Sequence, residues 1–238
     1  MANWITHTVI ADKILEKGLK IDKVGFTVGN IAPDCNVENE DRTDFTPSRE
    51  TTHFMSEKNQ KSTVDCEKFY ENYIKDRRFD NGEQYAFLWG YYSHLITDRE
   101  YQINFVRNEQ RVKSSFERIK ANKRLQAKID GYPENLDTLK TVFGRSEIFG
   151  DIKHLEHAYL LSHPDSSYNT VLRNITDFSD YIDFLPQGAI LRKIKIMAFE
   201  PPAENDNAPL VFFSQDEYSQ FISNVVTLIF ESIAGHIK

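Results

Sequence analysis

The stretch over residues 83–97 constrains the fold more than any other part of the chain. Its large apolar side chains leave almost no polar face at helical spacing: Tyr85, Phe87, Leu88, Trp89, Tyr91, Tyr92 and Leu95. The turn signal Asp80-Asn-Gly82 comes just before it, so the sequence predicts a helix that begins near Glu83. A helix that is apolar all round is stable only when it is buried. Other elements must therefore pack around this one.

Helical periodicity returns along most of the remaining sequence. Apolar residues recur at helical spacing over residues 6–17, 63–75 and 103–129. The start of the last helix is marked by Ser214 and Glu217, which form an S-x-x-E capping box. No strand-like alternation lasts long enough to build a sheet. The sequence predicts an all-α fold, a multi-helix bundle.

Two polar segments are predicted to be loops. Residues 36–59 form a long surface loop, and residues 200–209, with three prolines, form a second one. A chain of 238 residues can bury a large core as one domain. We expect a single all-helical domain over residues 1–238, with the candidate site in residues 1–105 and completing helices in residues 106–238.

Charge and cysteine content narrow the classes of partner and compartment. The net charge of −7 disfavours binding of nucleic acid or an anionic membrane over a broad surface, although a metal can still hold a small anion locally. The basic residues between positions 107 and 128 are interpreted as a solvated helix face. No apolar run approaches the ~20 residues of a transmembrane helix, and the first residues lack a signal-peptide pattern. With only Cys35 and Cys66, which make no disulfide framework, we expect a cytoplasmic protein.

His94 and Asp98 lie four residues apart near the end of the aromatic helix. This spacing stacks an imidazole and a carboxylate on one helix face about 6 Å apart, a geometry that can chelate a divalent cation. Three earlier residues have the same chemistry: His7 in the opening turn of the first helix, Asp34 in an irregular turn, and His53 in the predicted loop. Two carboxylates and three imidazoles suit zinc, and would also accept iron or manganese. Spacing alone does not bring these five residues together.

A second set of metal-ligand residue types occurs later in the chain. Asp151, His154 and His157 follow one another at three-residue spacing in a predicted helix. This pattern allows a metal site, and it is equally typical of a solvated helix face, which we favour. Oligomeric state leaves no signature in the sequence.

Four short motifs carry a resemblance to a known family. In chain order they are Thr6-His-Thr-Val-Ile-Ala11, Gly29-Asn-Ile-Ala-Pro-Asp34, Thr52-His-Phe54 and Gly90-Tyr-Tyr-Ser-His-Leu-Ile-Thr-Asp98. Their order and rough spacing are similar to those of the zinc-dependent phospholipase C family. That family is an all-helical bundle related to fungal single-strand nucleases of the same fold. The resemblance covers about the first hundred residues.

The resemblance implies a role for each of the five candidate residues. Asp34, His53, His94 and Asp98 would be the four protein ligands of one zinc. Asp98 would also bridge to a neighbouring metal held by His7, and Asp34 would be the general base for the attacking water. The chemistry implied is in-line attack on a phosphodiester, since a metal lowers the pKa of its bound water toward about 7 and neutralises phosphoryl charge.

Two positions depart from the family's pattern. Secreted members use the free amine of an N-terminal tryptophan as a ligand, whereas Trp4 lies three residues before His7 and is not a positional match. Asn104 stands where the first histidine of a further zinc site is expected. We therefore expect one or two metal ions.

Two functions remain open at this point. The first is a metal-dependent, phospholipase C-like hydrolase of phosphodiesters or phosphomonoesters, acting on a lipid headgroup or a small soluble phosphoester. The second is a non-catalytic relative that keeps the bundle and a structural metal, and acts as a binding or scaffold protein. A closed four-coordinate site would favour the second function, and a site with an open position would favour the first.

Overall fold

The structure is a computed structural model that describes residues 2–41, 43–199 and 209–236. Within these ranges ten α-helices make up most of the secondary structure: α1 (Trp4–Glu16), α2 (Lys23–Gly29), α3 (Arg49–Thr52), α4 (Cys66–Tyr73), α5 (Gly82–Glu100), α6 (Glu109–Ala121), α7 (Lys123–Ile129), α8 (Leu136–Ser162), α9 (Ala189–Met197) and α10 (Gln215–Ala234). Two short strands, β1 (Val37–Glu38) and β2 (Phe45–Thr46), pair antiparallel. The prediction of an all-α fold is confirmed.

The aromatic helix α5 lies at the centre of the molecule. Its first turn is capped by Asn81, whose side-chain oxygen accepts hydrogen bonds from the backbone N–H groups of Glu83 and Gln84. Every residue from 86 to 98 is buried, and α1, α2, α4 and α10 all contact this helix. The surroundings that its apolar composition requires are therefore supplied by both ends of the chain.

Helices α2 and α5 cross with their backbones in contact. A Cβ atom added at Gly90 would come within 2.2 Å of the carbonyl oxygen of Phe26, and one added at Gly29 would come within 2.0 Å of that of Phe87. No L side chain fits at either position without movement of the backbone. The two glycines thus allow an approach that brings the carbonyl of Asn30, which follows α2, against α5.

The helix predicted over residues 103–129 is not continuous, so that prediction was wrong. The chain forms a π-helical segment (Tyr101–Val106) and then the separate helices α6 and α7. Each of these helices begins at an asparagine, Asn108 or Asn122, whose side chain accepts hydrogen bonds from the first turn. Asparagine bonds to nearby backbone groups more readily than it continues a helix.

Other expectations have mixed outcomes. The capping box of Ser214 and Glu217 is confirmed at the start of α10.

The prediction of a long surface loop over residues 36–59 was wrong, because this segment contains β1, β2 and α3 and its residue His53 is fully buried. The loop predicted at 200–209 lies outside the described residues except for Pro209. None of the helices described is long and apolar enough to cross a membrane.

The glycine contact between α2 and α5 leads to a stability prediction. Gly90→Ala places a methyl group against backbone, which should lower the free energy of unfolding by about 3 kcal/mol, the range of core overpacking. Gly150→Ala in α8 is the matched control, because a Cβ there meets no atom within 4 Å. The control should be neutral or stabilising by up to about 1 kcal/mol. Urea unfolding of both variants measures this, and equal stabilities would contradict the packing.

Candidate metal centre

The structure brings the five predicted site residues together around the C-terminal half of α5. His7, His53, His94 and Asp98 are fully buried, while the side chain of Asp34 keeps 13% exposure. His7 comes from α1, Asp34 from the turn after α2, and His53 directly follows α3. Residues far apart in the chain thus meet on one face of a single buried helix.

Four atoms of these side chains form a compact group, here named the donor cluster: Asp34 Oδ1, His53 Nε2, His94 Nε2 and Asp98 Oδ2. His53 Nε2 lies 3.2 Å from Asp34 Oδ1, 3.4 Å from Asp98 Oδ2 and 3.3 Å from His94 Nε2. His94 Nε2 lies 3.3 Å from Asp98 Oδ2. Atoms at the corners of a tetrahedron, each about 2.0–2.1 Å from a central zinc, lie about 3.3–3.4 Å apart. These four separations match that spacing, so the residue types and these pairs of atoms fit zinc, although Asp34 and Asp98 fall in two different converging groups.

Hydrogen bonds fix the tautomers of both histidines in the donor cluster. His94 Nδ1 donates to the carbonyl oxygen of Asn30 at 2.7 Å, and His53 Nδ1 donates to that of Arg49 at 3.1 Å. Because a carbonyl can only accept, Nδ1 of His94 carries the proton. For His53 the Lys61 ammonium, which can only donate to Nε2, selects the same tautomer over one in which Nδ1 accepts from the Thr52 hydroxyl. Each Nε2 thus presents a lone pair to the cluster. A hydrogen bond from Nδ1 to a backbone carbonyl is the usual outer contact of a metal-binding histidine. Two lone pairs facing each other at 3.3 Å repel unless a cation or a proton lies between them.

His7 extends the site on the other side of Asp98. Its ring stacks on that of His94, with centroids 3.8 Å apart and planes 5° apart. His7 Nε2 lies 3.8 Å from Asp98 Oδ1, and within the described part of the chain neither that oxygen nor either nitrogen of His7 has a hydrogen-bond partner. A buried polar atom without a partner costs about 1–3 kcal/mol. His7 and Asp98 can therefore hold a second cation beside the donor cluster.

Hydrogen bonds to Glu156 and from Tyr91 hold the segments that carry His7 and His53. At the start of α1, Glu156 of α8 accepts from Asn3 Nδ2 at 2.8 Å, from Thr6 Oγ1 at 2.5 Å and from the Thr6 N–H at 3.2 Å. Tyr91 of α5 donates to the carbonyl oxygen of Thr52 at 2.5 Å. Neither partner was predicted from the sequence, since Glu156 is 150 residues from Thr6 and no local pattern links them.

Lys61 is the charged residue in this site that the sequence did not predict. It lies in a short 3₁₀ turn (Lys61–Thr63) and is only 8% exposed. Its Nζ lies 3.0 Å from His53 Nε2 and 3.9 Å from Asp34 Oδ1, and it forms an ion pair with Asp98 Oδ2. In the sequence it stands in a polar stretch close to the exposed Lys58, and nothing local distinguishes the two. Only the tertiary contacts reveal it.

The electrostatics keep the site residues in forms that can bind a cation. Burial alone would raise the pKa of Asp34 and of Asp98, but the positive charge of the Lys61 ammonium outweighs burial and lowers both pKa values. Burial lowers the pKa of His7, and the neighbouring His94 lowers it further. At neutral pH the two carboxylates are therefore ionised and His7 is neutral.

The later set of metal-ligand residue types does not form the solvated helix face that was predicted, since His157 is only 7% exposed. Asp151 of this set has a structural role. Asp151 Oδ2 accepts backbone hydrogen bonds from Val211, Phe212 and Phe213 at 2.9, 2.6 and 3.0 Å, and so fixes the segment before α10. The groups of metal-ligand residues that converge in the described structure include neither His154 nor His157. At the position expected for a further zinc ligand, Asn104 donates to Glu100 at 2.5 Å.

A cavity of about 260 Å³ opens beside the exposed edge of Asp34. Its lining includes Asn36, Arg49 and Lys193, so amide and cationic groups face the same space as the carboxylate. Asn36 is 2% exposed, and its Nδ2 has no hydrogen-bond partner in the described structure. The larger cavities found elsewhere contain none of the five candidate ligands. The cavity beside Asp34 therefore gives access to the site and offers Asn36 and Arg49 to an anion, while the carboxylate of Glu38, which also lines it, pairs with Lys193.

Residues 6–99 match the family model described as zinc dependent phospholipase C. Over these residues the chain is similar to the zinc-dependent phospholipase C family. All five candidate ligands lie inside the matched residues, and so does Lys61. No curated protein and no solved structure matches the chain. The family resemblance predicted from the four motifs is confirmed, and the substrate is left open.

The contact between Glu156 and α1 leads to a second stability prediction. Glu156→Gln replaces an acceptor-only carboxylate with an amide whose N–H₂ group faces donors, which should lower the free energy of unfolding by about 2 kcal/mol. Glu134→Gln is the matched control, because Glu134 pairs with Lys120 while 46% exposed and should change stability by under about 1 kcal/mol. Urea unfolding measures both variants. If Glu156→Gln lowers the free energy of unfolding no more than the control does, Glu156 does not hold α1 in place.

Proposed function

We propose that this chain is a metal-dependent phosphoester hydrolase of the phospholipase C type. The observation that carries the proposal is the donor cluster, whose four atoms lie 3.2–3.4 Å apart in the four separations measured. The tautomers of His53 and His94 direct both Nε2 lone pairs into it. The family match over residues 6–99 supports the same function.

The residues divide into three roles. Asp34, His53, His94 and Asp98 would hold one cation, and His7 with Asp98 would hold a second. Zinc suits these oxygen and nitrogen atoms best, and iron or manganese would also be accepted. When bound, such a cation supplies activation of water and neutralisation of phosphoryl charge. Asp34, which lines the cavity, is the candidate general base because it alone of the five reaches the surface.

The cavity beside Asp34 indicates a small anionic substrate. The Arg49 guanidinium lies over the Phe45 ring at 4.3 Å, and Lys193 donates to Glu38 at 2.9 Å, so both cations are held at its edge. Arginine and lysine recognise phosphoryl oxygens through charge-assisted hydrogen bonds. Its volume of about 260 Å³ suits a headgroup or a small phosphoester rather than a whole lipid. A cytoplasmic location is part of the proposal.

A second candidate function is a non-catalytic relative that binds or scaffolds. Lys61 favours it, because an ammonium beside Asp98 and His53 compensates part of the negative charge of the two carboxylates without any metal. The two functions differ in one measurable respect. The hydrolase requires turnover that depends on a bound metal, whereas the binding protein shows none.

The proposed metal ligands lead to a prediction about metal content and turnover. His94→Ala and Asp98→Asn should each lower metal affinity, and turnover of a chromogenic phosphodiester, by more than about 100-fold, because each removes a ligand. His154→Ala is the matched control and should retain both properties, since His154 belongs to no converging group. Elemental analysis and steady-state kinetics measure the outcome, with circular dichroism as the check on folding. Metal content unchanged in both variants would refute the site.

The cavity leads to a prediction about substrate binding. Arg49→Met should raise KM for a small phosphodiester about five- to tenfold, because one charge-assisted hydrogen bond to the substrate is lost. The metal content should be unchanged. The reason is that Arg49 lines the cavity while only its backbone carbonyl contacts a candidate ligand. Arg145→Met, on an exposed face of α8, is the control. An unaltered KM would remove Arg49 from the substrate site.

A further inference from the structure

Lys61 contacts the same atoms that the proposed function assigns to a metal. Its Nζ lies 3.0 Å from His53 Nε2 and pairs with Asp98 Oδ2, two of the four donor-cluster atoms. Lysine is almost never this deeply buried unless it is paired, and here its partners are the candidate ligands themselves. The ammonium and a metal ion would therefore use the same lone pairs.

The charges of the site explain why a cation is needed there in the absence of metal. Asp34 and Asp98 carry two negative charges in a region where His7, His53 and His94 are fully buried. Leaving a buried carboxylate uncompensated is strongly destabilising. Lys61 supplies one positive charge against both carboxylates, at 3.9 Å from Asp34 Oδ1 and in contact with Asp98.

A bound divalent cation would change the balance of charge between Lys61 and the two carboxylates. Bound at the centre of the donor cluster, it would carry two positive charges within a few ångströms of the Lys61 ammonium, and like charges at that separation repel strongly. It would also take the lone pair of His53 Nε2 to which Lys61 donates. The lysine stem is four flexible carbons on a turn preceded by exposed residues, so the ammonium can swing toward solvent.

We propose that Lys61 is an internal competitor for the metal: its ammonium holds the donor cluster together in the metal-free protein, and metal binding displaces it. The inference rests on the proposed function, since it requires that the donor cluster binds metal. Lys61 therefore has opposite effects on metal affinity and on the stability of the metal-free protein. Lys61 lowers metal affinity, and it stabilises the metal-free fold.

The test compares wild type with Lys61→Met, which keeps the length of the side chain and removes its charge. Titration with Co²⁺, followed by its visible absorption, and competition with Zn²⁺ give the affinities. Lys61→Met should bind both metal ions at least about tenfold more tightly than wild type, because the charge-assisted hydrogen bond of Lys61 no longer competes with the metal for the donor atoms. The metal-free variant should melt at a lower temperature than metal-free wild type, and added Zn²⁺ should raise its Tm by more. Lys58→Met, on the exposed surface nearby, should match wild type in both measurements.

The outcomes separate this inference from the proposed function. Equal or weaker metal binding by Lys61→Met overturns the competition and leaves the metal-dependent function standing. Failure of wild type and Lys61→Met alike to bind either metal overturns both. If metal-free Lys61→Met does not fold, the protein is prepared with Zn²⁺ and stripped with a chelator. If Lys61→Met then needs a higher chelator concentration than wild type to lose its Zn²⁺, the competition is supported. If it needs an equal or lower concentration, the competition is overturned.

Discussion

The backbone contact between α2 and α5 is the constraint on which the rest of the site depends. Gly29 and Gly90 allow the two helices to approach until backbone meets backbone. That approach places the Asn30 carbonyl 2.7 Å from His94 Nδ1. The same hydrogen bond selects the tautomer in which Nε2 is the ligand atom. Two glycines with no chemistry of their own thus determine which nitrogen of a histidine faces the donor cluster.

The centre of α5 combines two requirements that oppose each other. Its apolar residues demand burial, while His94 and Asp98 on the same helix are stable inside only with charged or polar partners. The fold satisfies both by gathering polar groups from α1, from the turn after α2, from the end of α3 and from the Lys61 turn around one buried face. Both ring nitrogens of His7 and Oδ1 of Asp98 have no hydrogen-bond partner among the described residues, and they mark where those protein groups alone are insufficient. A cation at that place would complete the balance.

The sequence predicts what is encoded locally and misses what depends on distant contacts. The aromatic helix, the capping box at Ser214 and the five candidate ligands all rest on short patterns, and the motifs around the ligands also revealed the family. Lys61 meets Asp98 across 37 residues, and no periodicity or capping rule marks such a pair. The interruptions at Asn108 and Asn122 did have a local signal, because asparagine favours a helix start. Helical periodicity on both sides concealed it.

The exposed side chain of Asp34 at the edge of the donor cluster helps to decide whether the metal site is structural or catalytic. A structural metal site is closed on all sides, whereas a catalytic one keeps a position open to water or substrate. Here only Asp34 reaches the surface, and the cavity with Arg49 and Lys193 begins at that edge. Lys61 lies closer to His53 Nε2, at 3.0 Å, than to Asp34 Oδ1, at 3.9 Å. The ammonium therefore engages the buried side of the donor cluster, and the side facing the cavity keeps the access that catalysis requires.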